Sequence, residues 1–390
     1  MDKRVADFLA DLINAGLKNE KISSVPAGIT LVELLDIAAR QSMKYLILNP
    51  LLGIKTLTEE ERNIIKAYIM KAFMISSAQA REAKLLSSYF EEHHVKYQML
   101  KGTIMKEMYP KPEYRDMSDI DMLIDLPELE KVDEALKENG YTLYKSIEHH
   151  DIYRKEPFIT LEVHRYLTED RQLDLEKKYF SENGGNKKIS DKEYGYEFSL
   201  EDFYIFMIMH MARHFYERGC GVRGLVDIYV FNSKYHKVVD RSYITDQLQK
   251  YHLADFEFNM GRLAEIWLVT KKWNEFYSDV FDYMMEGNVY GKEENGIWSQ
   301  FAREKQVSKN SIFSRLRLKL WYLFPSYEYM AHYNEWLVGK PYLLPVAWVN
   351  RAIHRSEKSK YRQNLTESAD ANQIYKMQRI YKKMNLQFND

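Results

Sequence analysis

The chain has 390 residues, of which 45% are apolar and 29% are charged, and its formal net charge is -1. This composition is typical of a globular protein, and the length predicts two or three domains. The neutral balance gives no general argument for nucleic acid or an anionic membrane as a partner. The single cysteine, Cys220, excludes an internal disulfide. Because the chain also lacks a secretion leader and any apolar run long enough to cross a bilayer, we expect a cytoplasmic protein without membrane contact.

Residues 1–93 are predicted to be helical, because apolar residues recur there at helical spacing. Thr58 and Glu61 match a capping box, which predicts the start of a long amphipathic helix. The helical pattern then runs as far as Phe90, so we expect a break somewhere within it.

From Val95 to about Leu167 the pattern changes to the period of two that is typical of strands. Strands are predicted at 95–100, 119–126, 141–146 and 158–166, with one more at His149–Lys155. A helix is expected from about Pro127 to Glu138, ending at Gly140. The polar segment 168–198 is predicted to be a loop or an edge hairpin.

Helices are predicted again from Ser199, which forms an N-terminal capping pattern with Asp202. We expect breaks near 235–241, 286–296 and 339–345. The sequence therefore predicts an α+β fold with a small mixed sheet flanked by helices. The predicted regions are a helical region at 1–93, a catalytic core at 94–198 and a mainly helical domain at 199–390.

Two acids, Asp119 and Asp121, open the predicted strand that continues through the apolar run Met122–Ile124. Side chains at positions i and i+2 of a strand share a face. Two neighbouring carboxylates repel each other unless a positive charge lies between them, and a pair of divalent metals is the usual solution. The pattern indicates a metal site.

About 17 residues upstream, Gly102 follows the first predicted strand and leads into a short helix. A glycine turn before a helix N-terminus is a natural site for phosphate. Metals beside a phosphate site favour chemistry on a nucleoside triphosphate such as ATP.

The sequence Leu100-Lys-Gly-Thr103, the pair Tyr109-Pro110, Arg115 and the run Ser118-Asp-Ile-Asp121 resemble the polymerase-beta-type nucleotidyltransferase superfamily. The resemblance is closer to a bacterial branch labelled uncharacterised nucleotidyltransferase. It covers roughly residues 60–355, with further similarity at His210, His214, Leu225-Val-Asp227, Phe324-Pro325-Ser326, Leu343-Leu344-Pro345 and Arg351. The superfamily usually has Gly-Gly or Gly-Ser at the turn, where this chain has Gly-Thr, and a threonine hydroxyl also donates to phosphate.

The resemblance implies a third acid on a neighbouring strand, which matches Glu162. It also implies transfer of a nucleoside monophosphate from an NTP to an acceptor hydroxyl, with Mg²⁺ or Mn²⁺ at Asp119, Asp121 and Glu162. Glu162 would also help to deprotonate the hydroxyl. The expected nucleotide-binding residues are Lys101, Gly102, Thr103, Arg115 and Ser118, with Lys101 or Arg115 neutralising pyrophosphate.

His210 and His214 are spaced to share a helix face. With Asp227 they form either a buried polar cluster, a substrate contact or, as a third possibility, a metal site of the phosphohydrolase kind. His164 shares the strand face of Glu162 and is a candidate for acceptor contact or for a supporting hydrogen bond. His149 and His150 are given no role.

The acceptor is not selected by the sequence: a small molecule, RNA and protein all remain open, as does the oligomeric state. A locally basic C-terminal third, comprising Arg315, Arg317, Lys319, Arg351, Arg355, Lys358, Lys360 and Arg362, is compatible with RNA or with a merely solvated face. The alternative to an enzyme is a nucleotide-binding sensor or scaffold without turnover.

Overall fold

The computed structural model of the chain describes residues 2–147, 150–167, 175–183, 186–189, 191–217, 219–289, 291, 320, 323–353 and 371–386. It confirms the α+β class: over these residues one mixed sheet of seven strands is flanked by helices on either side of it in the sequence.

The N-terminal region is helical, as predicted. Its helices are α1 (Lys3–Leu17), α2 (Leu31–Arg40), α3 (Lys44–Leu51) and α4 (Glu59–Glu92). The capping box of Thr58 and Glu61 is present at the start of α4. The predicted break within α4 is wrong: the helix is continuous over 34 residues. Because this stretch contains no glycine or proline, nothing in it interrupts the backbone hydrogen bonds.

The sheet contains all five strands predicted between Val95 and Leu167. The strands are β1 (Tyr97–Met99), β2 (Ile120–Ile124), β3 (Thr142–Ser146), β4 (His150–Lys155), β5 (Ile159–His164), β6 (Asn186–Lys188) and β7 (Gly195–Phe198). Their order is β3-β4-β5-β2-β1-β7-β6. The pairs β2–β5 and β1–β7 are parallel and the others are antiparallel.

Shorter helices connect the strands. After β1 come α5 (Lys101–Met105) and 3-10 turns at Lys106–Met108 and Pro112–Tyr114, and after β2 come a turn at Leu126–Glu128 and α6 (Leu129–Glu138). Within the segment 168–198, the described residues form the predicted edge hairpin, β6–β7, and also a helix, α7 (Leu175–Asn183), that the polar composition did not indicate.

Helices return after the sheet. They are α8 (Leu200–Glu217), α9 (Arg223–Tyr235), α10 (Arg241–Lys250), α11 (Ala254–Glu265) with a π-turn at Ile266–Thr270, α12 (Glu275–Glu286), α13 (Tyr327–Tyr333), α14 (Leu344–Ile353) after 3-10 turns at Glu335–Leu337 and Pro341–Leu343, and α15 (Ala371–Lys383). The predicted cap is present, since the Asp202 backbone N–H donates to Ser199 Oγ at 3.0 Å. Apart from Arg351, the basic residues considered for RNA lie outside the described residues.

The largest core cluster joins side chains from all three predicted regions, from α1 through Leu100 to α8, α9 and α15. A second cluster holds α4 and α6 against the sheet. The helical regions are thus packed onto the end of β1, and the division of the chain into three domains stays a prediction. None of the described helices is long and apolar enough to cross a membrane.

Candidate functional site

The acids predicted to form one site meet at the centre of the sheet. Asp121 on β2 is the direct Cα partner of Glu162 on the parallel strand β5. Asp119 lies two residues before Asp121 and therefore on the same face. All three side chains line a cavity of about 380 Å³ between the sheet and α8–α9. This volume is within the usual range for a small-molecule site.

Lys101 follows β1 and reaches into this cavity. Its Nζ donates to Asp121 Oδ1 at 2.7 Å. The backbone of Lys101 has φ +42°, so the left-handed residue of this turn is Lys101 and not Gly102. For a residue with a side chain, such a conformation costs on the order of 1–3 kcal/mol and is held only by its surroundings. The ion pair with Asp121 is one interaction that holds it.

Gly102 is required for close packing. A Cβ at this position would lie 2.9 Å from Met117 Sδ and 3.1 Å from Arg115 Nη1. Thr103, by contrast, is not among the residues that line the cavity, and its Oγ1 lies 3.9 Å from the same sulfur. Ser118 does line the cavity. Of these predicted nucleotide-binding residues, Gly102, Arg115 and Ser118 line the cavity, whereas Thr103 does not.

Asp121 is 5% exposed and accepts hydrogen bonds from two cationic or potentially cationic groups. Burial alone would raise the pKa of its carboxyl, but the charge of Lys101 and the hydrogen bond from His164 Nε2, 2.9 Å long, lower that pKa strongly. Glu162 behaves in the same way: burial opposes ionisation, but the hydrogen bond from His164 and the charges of His150 and Lys101 together lower its pKa below the usual value. Both acids are ionised at neutral pH.

Asp119 has the opposite electrostatic environment. Burial, followed by repulsion from Asp121 and Glu162, raises the pKa of the Asp119 carboxyl to about 6. Lys101 and a hydrogen bond with Ser118 counter this only partly. The site therefore holds more negative charge than its own cation neutralises.

His150, which the sequence interpretation left without a role, also reaches the site. It is the Cα partner of His164 across the β4–β5 hairpin, and its Nε2 lies 3.7 Å from Glu162 Oε2. The two imidazole centroids are 4.9 Å apart. Pairing both predicted strands around the short turn at 156–158 would have revealed this placement, since it sets His150 opposite His164.

The facing wall of the cavity comes from α8 and α9. Arg115 binds Asp227 through two parallel hydrogen bonds, Nε–Oδ1 at 2.9 Å and Nη2–Oδ2 at 3.0 Å. Tyr109 Oη donates to the same Asp227 Oδ1 at 2.8 Å. Burial would lower the pKa of Arg115, but the charge of Asp227 raises it above its ordinary value. Asp227 thus anchors the segment between β1 and β2 to α9.

The paired histidines of α8 contact each other. His214 Nε2 lies 3.1 Å from His210 Nε2, and Arg213 Nη2 lies 3.2 Å from His210 Nδ1. Burial, and then the charge of Arg213, hold the pKa of His210 well below its usual value, so the ring is neutral. Arg213 and Arg223, which the sequence suggested as partners of this histidine cluster, also line the cavity. They add two cationic side chains to the wall that contains the acids of the sheet.

Another cavity of about 450 Å³ lies between α1 and the Ile266–Thr270 turn, and its lining includes the charged side chains of Asp11, Lys18 and Lys271. Among the residues that the structure describes, it contains no group of carboxylates and imidazoles close enough to share an ion, whereas the sheet cavity does. The sheet cavity is therefore the better candidate for chemistry.

Residues 29–269 match the protein family described as uncharacterised nucleotidyltransferase. The match covers more than half of the chain, including the residues of the cavity wall from Lys101 to Asp227. The chain belongs to this family, as the sequence resemblance indicated. No curated protein and no solved structure matches it.

Proposed function

We propose that this protein transfers a nucleoside monophosphate from an NTP to an acceptor hydroxyl, releasing pyrophosphate, with Mg²⁺ or Mn²⁺ held by Asp119, Asp121 and Glu162. The observation that carries the proposal is the direct pairing of Asp121 with Glu162 on adjacent parallel strands at the wall of a cavity. Family membership supports the general reaction class.

The residues fit a divalent metal. Carboxylate oxygens are the ligands that Mg²⁺ and Mn²⁺ prefer. The pKa of Asp119 is raised by burial and then by repulsion from Asp121 and Glu162, and a bound cation would favour the ionised carboxylate against both effects. When bound, two such ions stabilise the attacking and leaving oxygens of an in-line displacement.

The protein's own groups would do the remaining work. In the reaction the acceptor oxygen forms a bond to the α-phosphorus while the α–β phosphoanhydride bond breaks, and pyrophosphate carries away the electron pair. Glu162, ionised at neutral pH, would accept the proton of the acceptor hydroxyl. Arg213 and Arg223 line the cavity and would neutralise the phosphates, a task that the sequence assigned to Lys101 or Arg115.

Arg115 would act mainly through position. Because both of its bonds to Asp227 are made inside the protein, its charge is largely compensated before any nucleotide binds. Its Nη1 remains close to Gly102, so it fixes the start of α5 against the cavity. Asp227 would be a positioning residue for the same reason.

One observation favours a second function, nucleotide binding without turnover. Lys101 already supplies a cation to Asp121, which is what a descendant that had lost its metals would need. The phosphohydrolase alternative has no comparable support, since Asp227 is engaged by Arg115 and Tyr109. Among the described residues, the imidazole and carboxylate atoms that lie close enough to share an ion belong to His150, Glu162 and His164, not to His210 or His214.

The test is to incubate the protein with each α-labelled NTP and Mg²⁺ or Mn²⁺, adding RNA, protein or small-molecule fractions of cells as acceptors. We expect label in one fraction together with released pyrophosphate. The double variant Asp119→Asn plus Asp121→Asn should lose both signals. The matched control is Asp125→Asn, which changes an exposed acid just beyond the same strand and should retain them.

Transfer by the double variant at the parent rate would contradict the assignment of the acids. Binding of NTP without transfer to any fraction, by parent and variant alike, would favour the sensor. The acceptor class follows from the fraction that takes up label.

A further inference from the structure

Two imidazoles and one carboxylate meet at the end of the β4–β5 hairpin. His150 on β4 is opposite His164 on β5, and Glu162 lies two residues from His164 on the same face. One potential ligand atom from each side chain lies within 4.8 Å of the others. The Glu162 carboxylate is the centre of the group, with His164 Nε2 at 3.5 Å and His150 Nε2 at 3.7 Å from its Oε2.

These separations match the spacing of ligands around a tetrahedral ion. Zinc binds imidazole nitrogen and carboxylate oxygen at about 2.0–2.2 Å, so neighbouring ligand atoms of a tetrahedral site lie about 3.4 Å apart. The separations from Glu162 Oε2 to the two imidazole nitrogens, 3.5 and 3.7 Å, exceed that spacing only slightly. Small side-chain rotations would therefore bring the three donors to a common ion, without any change in strand register.

The strands hold the donors in place. The direct partners and the diagonal neighbours of an antiparallel pair lie within side-chain reach of one another. His150 and His164 are both buried, and Glu162 is only partly exposed. Donors mounted on paired strands and enclosed by neighbours are restricted before an ion arrives, which favours a defined geometry.

The donor set selects a different class of ion from that of the carboxylates alone. Imidazole is a good ligand for zinc, cobalt and ferrous ions, whereas Mg²⁺ prefers oxygen donors and retains water. His164 Nε2 lies 2.9 Å from Asp121 Oδ1, so an ion bound at this nitrogen would also lie beside the carboxylate of Asp121. The carboxylates of Asp119 and Asp121 line the same cavity and would favour binding of any dication.

We infer that His150, Glu162 and His164 form a binding site for one zinc-like divalent transition ion, with a coordination position open to the cavity. Three protein ligands with a vacant fourth position are typical of zinc sites that bind water or a substrate oxygen. The site shares Glu162 with the proposed magnesium ligands but does not depend on nucleotidyl transfer, because it can be measured without NTP.

The test uses the full chain after treatment with a chelator and dialysis, with Co²⁺ alone as a spectroscopic probe for zinc. We expect one Co²⁺ per chain, visible absorption of the intensity typical of four-coordinate cobalt, and displacement by stoichiometric Zn²⁺. A large excess of Mg²⁺ should leave the absorption unchanged. His150→Ala should weaken Co²⁺ binding about a hundredfold, since it removes one of three ligands while leaving all the acids in place.

Two further variants make the result specific. His236→Ala removes an exposed histidine at the end of α9 and should bind Co²⁺ like the parent. Asp119→Asn removes a proposed magnesium ligand and should also keep the cobalt spectrum. Loss of NTP transfer with retained cobalt binding in Asp119→Asn separates this site from the proposed function. Thermal unfolding of each variant by circular dichroism would check that it is folded, and His150→Asn serves if the alanine variant is not.

The inference is overturned if the stripped parent protein binds no Co²⁺ at a stoichiometry of one, or if Mg²⁺ displaces it. It is equally overturned if folded His150→Ala or His150→Asn binds Co²⁺ as tightly as the parent.

Discussion

Two buried ion pairs face each other across the cavity, and they differ in how completely their charges are satisfied. Arg115 and Asp227 are joined by two parallel hydrogen bonds, and Tyr109 occupies the same carboxylate. Lys101 and Asp121 are joined by one bond of 2.7 Å, with His164 sharing the same oxygen. Around Lys101 and Asp121 lie two more acids, Asp119 and Glu162.

The comparison indicates that the Arg115–Asp227 pair is structural, whereas the Lys101–Asp121 pair lies in the candidate catalytic site. A bidentate arginine–carboxylate pair is geometrically complete and is well suited to holding α9 against the segment before β2. A single lysine cannot neutralise several neighbouring carboxylates. The remaining negative charge attracts a cation from solution. The two pairs should therefore respond differently to substitution.

The largest effect is expected for Asp121→Asn. If the carboxylates hold the catalytic ions, the variant should lose NTP-dependent transfer by about a thousandfold or more, because metal catalysis contributes several kcal/mol and each 1.4 kcal/mol is a factor of ten. Initial rates at saturating Mg²⁺ would measure it, with Asp125→Asn as the control. A residual rate within tenfold of that of the parent would show that Asp121, like Asp227, has mainly a structural role.

Asp227→Asn should act mainly on stability. It leaves the Arg115 charge buried without its partner, which typically costs 3–5 kcal/mol. Chemical denaturation should show this loss, while Asp246→Asn on the exposed face of α10 should show none. Replacing both partners, as Arg115→Met with Asp227→Leu, should restore much of the free energy of unfolding. Unchanged stability with abolished transfer would instead make Asp227 part of the chemistry.

Gly102→Ala tests the packing of Gly102, next to Lys101, against Met117 and Arg115. The new methyl group would meet Met117 and Arg115 at about 3 Å, and Met117 can move aside, so we expect a loss of about 1 kcal/mol of unfolding free energy. Gly261→Ala is the matched control, since a Cβ there meets nothing within 4 Å and the helix α11 should be stabilised slightly. Equal changes in unfolding free energy for both substitutions would show that the neighbours of Gly102 accommodate a methyl group without cost.

The smallest effect concerns pH. Since the pKa of Asp119 is raised to about 6 from 3.8, the folded protein binds more protons than the unfolded chain between these values. Stability without metal should therefore fall as pH rises from about 4 through 6. Asp119→Asn should remove this fall and should unfold at a higher temperature than the parent at pH 7.5 in chelator. A parent whose melting temperature, relative to Asp119→Asn, does not depend on pH would contradict the crowding of acids.

Local sequence patterns were sufficient for most of the sheet and for the acid strand. The five strands between Val95 and Leu167 follow from periodicity, and the capping residues Thr58 and Ser199 lie where their patterns placed them. The placement of Glu162 beside Asp121 came from a family resemblance, because a single acid in an apolar strand carries little information by itself.

What could not be predicted depends on contacts between distant parts of the chain. The partnership of Arg115 with Asp227 spans 112 residues, and no periodicity reports it. The continuity of α4 was not predicted because a helix of this length is unusual. The segment nevertheless contains no glycine or proline that would interrupt it. The position of His150 was not predicted because the register between β4 and β5 was not worked out, although both strands were predicted.

The short turn at residues 156–158 has a consequence for how ion preference could diverge among relatives. It determines which residue of β4 stands opposite His164, so one inserted or deleted residue would exchange an inward for an outward side chain along the whole hairpin. A family member with a turn of another length would present a different donor beside Glu162 while keeping every acid. Loop length, rather than substitution of a ligand, would then be the evolutionary control of which metal such a protein prefers.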